Sequence, residues 1–199
     1  MKLRTRVLRA SSVVMVLSAI AGTIGCESSP TKEGDWFAGG AELPPNEETL
    51  RMTARILAAK GEFAKAGFAV DRMISDFPER PGTYTEGAEI LLQQGRVQDA
   101  VALLDDGLGR LPGNAILHND RGLCRLLNAD LAGATLDFEA ALEVDPGDAD
   151  FVANAALAAA LAGDEAKARA LWGRVLPEHA VESNLAIARA ARSRFSQVK

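Results

Sequence analysis

The feature that most constrains this chain is a period of 34 residues, which runs from residue 47 to residue 182 without a gap. Prolines recur at this spacing, and so do small residues and large apolar residues. The three clearest sets are Pro78, Pro112 and Pro146; Ala66, Ala100, Ala134 and Ala168; and Val70, Leu104, Phe138 and Trp172. A fixed period of this length indicates a solenoid, in which each unit buries its apolar face only by stacking on its neighbours. We therefore predict four repeats, at 47–80, 81–114, 115–148 and 149–182.

Each repeat contains two stretches with the apolar spacing of a helix. In the third repeat they run from Leu117 to Asn128 and from Leu131 to Val144. Asp130 stands where it would cap the second helix, as Asp164 does in the next repeat. The run Pro146-Gly147-Asp148 is predicted to end one helix and start the next, with a positive φ at its glycine. Residues that lie 34 positions apart form a column of the repeat. Columns of small residues are predicted to let paired helices approach closely, and one of them is Gly61, Gly95, Ala129 and Gly163.

The repeats resemble the tetratricopeptide repeat, a helix–turn–helix unit, and the segment from Arg121 to Pro146 matches it best. The resemblance spans Glu47 to Glu182 and implies an all-α, right-handed solenoid of four helix pairs. His118 and Arg125 depart from it, because a large apolar or aromatic residue is common at those positions. Residues 179–195 predict one more helix. We assign 183–199 as a C-terminal capping helix, since a terminal repeat needs a cap with a polar outer face.

The first 25 residues have the pattern of a secretory signal peptide. Four cations precede an apolar run from Ala10 to Gly25, and they are Lys2, Arg4, Arg6 and Arg9. A helix over those 16 residues would be about 24 Å long at ~1.5 Å per residue. A membrane span needs roughly 30 Å. Cleavage after the run is therefore favoured over a permanent transmembrane anchor.

The apolar run ends in Thr23-Ile24-Gly25-Cys26, which resembles the processing site of bacterial lipoproteins. The resemblance implies cleavage before Cys26 and acyl chains on that residue, although Thr23 stands where leucine is usual. Two or more acyl chains hold a protein firmly on a membrane. Glu27 favours the outer membrane, so the expected location is the periplasm-facing bacterial envelope. The alternatives are a plain secretory signal or an uncleaved anchor, with Cys26 an ordinary thiol. Residues 26–46 are rich in proline, glycine and polar residues, which predicts a flexible tether after the lipidated cysteine.

Composition excludes several classes of function. The net charge is -5 and aromatic residues make up 5%, which disfavours nucleic acid as a partner. Two cysteines and two histidines are too few for a structural zinc site. His118 and His179 are far apart in sequence and lie in no catalytic motif, so we expect neither enzymatic activity nor a cofactor or metal. Cys124 is predicted to be a small buried apolar residue.

Binding of protein or peptide segments is the function that remains. The first helices of stacked repeats line a concave groove. The predicted groove residues are Arg51, Arg55, Thr85, Glu89, Leu92, Asn119, Leu123, Leu126, Asp150, Ala153 and Leu157. Charge in the first repeat and leucines in the last two suit a peptide with one apolar end. The leucines could instead pack between repeats, because periodicity alone does not separate core from groove.

The ending also resembles a family. Leu176-Pro177, followed by Val181-Glu182-Ser183-Asn184-Leu185-Ala186, is similar to the close of the TadD family of tight-adherence (Flp) pilus assembly lipoproteins. That resemblance implies a membrane-anchored scaffold that assists assembly or localisation of an outer-membrane secretin. The alternatives are a general envelope adaptor in cell-wall or lipoprotein trafficking, a regulatory subunit of an enzyme, or an oligomer formed through the terminal helix.

Overall fold

The computed structural model describes residues 44–196, and their side chains up to residue 192. The described residues form nine α-helices and no strand. The helices are α1 (Glu47–Ala59), α2 (Phe63–Asp76), α3 (Pro81–Gln93), α4 (Val97–Arg110), α5 (Ala115–Leu127), α6 (Leu131–Val144), α7 (Ala149–Ala162), α8 (Glu165–Trp172) and α9 (Glu178–Ser196). The predicted signal peptide, Cys26, most of the tether and residues 197–199 lie outside the described residues.

The prediction of an all-α solenoid is confirmed. Each segment predicted as a repeat contains a helix pair, and α9 begins at Glu178, inside the segment predicted as the fourth repeat and before the predicted start of the cap at residue 183. Helix α6 has the predicted bounds, whereas α5 begins two residues before the predicted start. The earlier start follows from Asn114, whose side-chain oxygen accepts a hydrogen bond from the Leu117 amide at 3.0 Å. Helix α8 has only eight residues, and α9 packs against α7 and α8 at the end of the stack.

The predicted caps are present at the second helices of the last two repeats. Asp130 accepts from the Gly133 amide and Asp164 from the Lys167 amide, each at 2.9 Å. The prediction for Gly147 was wrong, because its φ is not positive. Asp145 and Asp148 shape that turn instead by accepting hydrogen bonds from nearby backbone amides. Side chains can therefore build this turn without a left-handed residue.

Positive φ occurs instead at the turn inside each repeat, at Gly61, Gly95, Ala129 and Gly163. A Cβ added at Gly61 or Gly95 would meet no atom within 4 Å. These residues are therefore small because of backbone conformation, and the predicted reason, close approach of paired helices, was wrong for this column. Ala129 carries a side chain at φ 60, which is unfavourable for any residue with a Cβ.

Replacing Ala129 with glycine is expected to raise the free energy of unfolding by about 0.5 kcal/mol. Relief of left-handed strain should exceed the added entropy of the unfolded chain. The matched control is Ala102→Gly, at an exposed site within α4, where glycine should cost about 1 kcal/mol. Urea unfolding followed by circular dichroism measures both. Destabilisation of the two variants by the same amount would contradict the strain at Ala129.

At other positions, glycine is required because an aromatic ring packs directly against the helix backbone. A Cβ at Gly107 would lie 2.7 Å from Cγ of Tyr84, and one at Gly122 would lie 2.6 Å from Cε1 of Phe138. Both rings are fully buried, so they lie directly against helix backbone. Tyr84 also donates its hydroxyl to the Pro78 carbonyl oxygen at 2.8 Å. The large apolar column Val70, Leu104, Phe138 and Trp172 is buried throughout, as predicted.

The contacts between repeats define two sides of the solenoid. The first helices of successive repeats touch one another, α1 with α3, α3 with α5 and α5 with α7. Among the described residues, the backbones of the second helices α2, α4, α6 and α8 do not approach one another in this way, although the Lys167 side chain of α8 reaches Glu139 of α6. The first helices therefore lie on the shorter, concave side and the second helices on the outer side, as expected for a curved stack.

Candidate functional site

The first-repeat cations predicted for the groove are already engaged by carboxylates. Arg55 donates from Nε to Oε2 of Glu86 at 2.7 Å, which links α1 to α3. Glu86 is only 2% exposed. Arg51 donates to Glu48 of its own helix at 2.9 Å. The N-terminal end of the concave face is therefore a set of ion pairs rather than a free cationic patch.

Two carboxylates in the middle of this face are partly withdrawn from water. Burial raises the pKa of Glu86, although the Arg55 guanidinium opposes the change. Burial also raises the pKa of Asp120 on α5, and the nearby Glu89 carboxylate adds to the increase. Glu89 itself is exposed. Because Arg55 neutralises Glu86, the negative potential at the centre of the face comes from Glu89 and Asp120.

Two asparagines connect the third and fourth repeats. Asn154 on α7 donates from Nδ2 to Oδ1 of Asn119 at 2.8 Å, and Asn119 donates to Asp120 at 3.4 Å. Asn119, predicted as a groove residue, is only 6% exposed. It therefore acts mainly by linking α5 to α7 and by holding the Asp120 carboxylate.

The apolar residues predicted for the groove lie at different depths. Leu123 and Leu157 are half-buried and border the core cluster around Phe138, and Leu92 is half-buried in the second repeat. Leu126 is only 8% exposed and belongs to that core, so it offers little surface. Leu127 is exposed at the end of α5. Leu123, Leu157 and Leu127 therefore supply the accessible apolar area near the C-terminal end.

The remaining predicted groove residues are small or polar. Thr85 is half-buried and donates its hydroxyl to the Gly82 carbonyl oxygen at 3.2 Å. Asp150 is exposed near the start of α7, and Ala153 is half-buried one turn later.

Sequence reasoning missed Glu86, Asp120 and Asn154, which occupy one column of the 34-residue period. Their shared polarity at equivalent positions was the available signal.

His118 and Arg125, which depart from the repeat pattern, converge on a buried acid. Asp137 on α6 is 2% exposed and accepts from Arg121 at 2.5 Å and from Arg125 at 2.8 Å. Hydrogen bonding to Asp137 raises the pKa of the Arg121 guanidinium. Arg121 also donates to Asp105 of α4 at 2.6 Å. We call His118, Arg121, Arg125 and Asp137 the buried ionic cluster.

The position of His118 has a direct parallel in the preceding repeat. Its Nε2 lies 2.9 Å from the Pro112 carbonyl oxygen, while its Nδ1 lies 3.4 Å from Oδ1 of Asp137. Tyr84, one period earlier, donates to the carbonyl oxygen of Pro78. His118 thus makes the hydrogen bond of the aromatic residue it replaces. All four members of the buried ionic cluster have partners within the chain, so the cluster links α5 to α4 and α6 and presents no open site.

Other candidate chemistry in the described part of the chain is structural. Cys124 is buried as predicted, and burial raises the pKa of its thiol to about 11, which keeps it protonated and unreactive. His179 is exposed on α9, apart from His118. Residues 44–192 bring together no group of three acids, histidines or cysteines able to hold a metal ion. Within the same part, no helix combines the length and the apolarity needed for a membrane span.

Comparison with solved structures identifies the fold. The structure is similar to TTC0263, a thermophilic TPR protein of Thermus thermophilus, with a TM-score of 0.60 and 20% identity over 74% of this chain and 83% of that one. It is also similar to MamA of Desulfovibrio magneticus RS-1, with a TM-score of 0.54 and 18% identity over 65% of this chain and 73% of that one. The human IFIT1 dimer with m7Gppp-AAAA gives a TM-score of 0.57 and 20% identity over 65% of this chain and 33% of that one.

The described residues therefore form a tetratricopeptide-repeat solenoid. Among curated proteins, human tetratricopeptide repeat protein 13 is 35% identical over 78 residues, which is 39% of this chain. The chain spans only 9% of that protein's length. No family model matches the sequence.

Proposed function

We propose that this protein is an interaction scaffold whose concave face holds a segment of a partner protein. The observation that carries the proposal is the uncovered surface of the first helices. There, the half-buried Leu123 and Leu157 lie beyond the exposed Glu89 and the partly buried Asp120. Stacked helix pairs commonly bind peptides along such a face.

The distribution of polarity on this face favours a particular kind of segment. Ion pairs occupy the N-terminal end, acids the centre and leucines the C-terminal end. An amphipathic helix or an extended peptide with one apolar end would bury its apolar side chains against Leu123, Leu127 and Leu157. A nucleic acid is disfavoured, because its phosphates would face Glu89 and Asp120.

We further propose that acyl chains on Cys26 hold the scaffold on the bacterial envelope, facing the periplasm, with the outer membrane favoured. The support is the sequence of residues 1–26, with its cations, apolar run and processing-site pattern. The tether at 26–46 would let the concave face reach a partner while keeping it near the membrane. Anchoring of this kind raises the effective concentration of a binding site.

The finer proposal is that the partner is an outer-membrane secretin or another pilus component, whose assembly the scaffold assists. It is supported by the resemblance of residues 176–186 to the TadD family. A general envelope adaptor is the second candidate, and the same concave face supports it equally. A regulatory subunit of an enzyme has no observation in its favour.

In-cell crosslinking in the native host, followed by affinity capture and mass spectrometry, tests the proposal. We expect Leu123→Glu and Leu157→Glu to lose the captured partner. The matched control is Leu136→Glu, at an exposed leucine of α6, which should retain it. Retention by all three variants would contradict binding at the concave face.

The identity of the captured protein separates the finer proposals. A secretin or pilus subunit supports assembly, whereas cell-wall or sorting proteins without any pilus component support the general adaptor. The secreted Cys26→Ser variant should support partner assembly less well than wild type. Equal support by this variant would contradict anchored recruitment.

A further inference from the structure

A second open groove lies on the outer side of the solenoid, between α2 and α4. The floor of the groove is α3, and its cavity has a volume of about 580 Å³. Phe63 and Asp71 of α2 line one bank, and Leu103 of α4 lines the other. Phe68, on the α2 bank, is 74% exposed, the most of any large apolar side chain among the described residues. Phe68 therefore extends the apolar lining of the groove into solvent, and contiguous exposed apolar patches mark interaction sites.

The period of the sequence supplies an internal comparison for this groove. Asp71 occupies the same column as Asp105 and Glu139 in the next two repeats. Asp105 accepts from Arg121 at 2.6 Å, and Glu139 accepts from Lys167 at 2.6 Å. Asp71 makes no ion pair with any described residue of the chain. The acid of this column therefore has a cation partner at the second and third of the three interfaces between repeats. At the first interface it has none in the part of the chain that the structure describes.

Asp71 lacks a partner equivalent to Arg121 because of the residue at the corresponding position of α3. Gly87 stands one period before Arg121 and has no side chain to offer. A Cβ at Gly87 would lie 2.5 Å from Cδ2 of Leu103 and 2.8 Å from Cγ1 of Val70. Packing at the groove floor thus excludes any larger residue at position 87 without a shift of its neighbours. Arg96, a cation of the chain that also lines the groove, donates to Asp99 at 2.6 Å. A cation for Asp71 is therefore expected to come from outside the chain.

We propose that this groove docks an apolar segment of a partner protein that carries a lysine or an arginine. The segment's apolar side chains lie on Phe63, Phe68 and Leu103, and its cation pairs with Asp71, as Arg121 pairs with Asp105 within the chain. The volume falls within the range of about 300–1,000 Å³ that is usual for ligand pockets. The groove and the concave face lie on different sides of the stack, so one protein could hold two partners.

Selection of random peptides displayed on phage, with the full-length chain immobilised, tests the proposal. Wild type should enrich peptides in which a basic residue is flanked by apolar residues. Phe68→Glu should lose this enrichment, and Asp71→Lys should shift it towards peptides with an acidic residue. Phe68 and Asp71 are both exposed on α2, and circular dichroism of each variant verifies its fold.

Fluorescence polarisation of an enriched peptide then gives its affinity. We expect Asp71→Asn to weaken binding about tenfold or more, because the partner cation would be left without its carboxylate. The concave-face variant Leu123→Glu should bind this peptide as wild type does. Unchanged affinity for Asp71→Asn, no basic preference in the wild-type selection, or loss of binding only in Leu123→Glu would each overturn the proposal.

Discussion

Replacing Asp137 with alanine is expected to lower the free energy of unfolding by about 3–5 kcal/mol, because the largely buried cations of the cluster would lose their shared carboxylate. Asp137 accepts from Arg121 and Arg125 and lies beside the ring of His118. Without this carboxylate, Arg121 would keep only Asp105 among the described acids as an ion-pair partner, and Arg125 would keep only Asp130 at 3.9 Å. Urea unfolding followed by circular dichroism measures the loss.

A variant that copies the fourth repeat separates charge from packing. One period after the buried ionic cluster, the chain has Val152, Ala155, Ala159 and Leu171 in place of His118, Arg121, Arg125 and Asp137. The quadruple variant His118→Val, Arg121→Ala, Arg125→Ala, Asp137→Leu should therefore recover most of the stability that Asp137→Ala loses. The exposed control Asp106→Asn should change stability by at most about 0.5 kcal/mol. A loss below about 1 kcal/mol for Asp137→Ala would show that the cluster adds little net stability.

Replacing Trp172 with alanine is expected to have an effect of similar size, about 3–5 kcal/mol, but concentrated at the C-terminal end. Trp172 ends the short helix α8 and packs in one core cluster with Val181 and Leu185 of α9. A repeat solenoid is stabilised mainly by contacts between neighbours, so the loss should fall first on the attachment of α9.

Hydrogen exchange measured by mass spectrometry tests the location of this effect. Peptides from α9 should lose protection in Trp172→Ala, while peptides from α1 to α4 should keep it. Ile187→Ala, at an exposed position of α9, is the matched control and should leave exchange unchanged. Uniform loss of protection along the whole chain would instead indicate that the solenoid unfolds as a single unit.

The repeat architecture could be predicted from the sequence because a 34-residue period reports directly on stacking. The buried column Val70, Leu104, Phe138 and Trp172 and the caps at Asp130 and Asp164 were identified in this way. Gly147 was misassigned because a turn can obtain its hydrogen bonds from aspartate side chains without a positive φ. The column with positive φ was not recognised because one of its members is Ala129, and alanine is unusual in the left-handed conformation.

The chemistry of the surfaces was less accessible from the sequence. Arg55 was predicted as a charged groove residue, but its partner Glu86 lies 31 residues away on the next first helix and could not be identified from the period. Leu126 and Leu123 lie on the same helix, but Leu126 is in the core and Leu123 is half-buried. This difference depends on the orientation of α5 about its own axis relative to its neighbours. His118 and Arg125 looked like irregularities because their shared acid lies on a different helix. Periodicity gives the face of a helix, but pairing across helices depends on their packing geometry.

The unequal contacts of the first and second helices have a mechanical consequence. The continuous line of first helices can act as a hinge axis. The second helices lie farther from that axis, and the backbones of α2 and α4 do not touch. A small rotation between repeats would therefore change the spacing of α2 and α4 more than the spacing of α1 and α3. A partner on the concave side would meet first helices whose spacing is nearly constant. The outer groove beside Phe68, in contrast, would widen or narrow with the curvature of the stack.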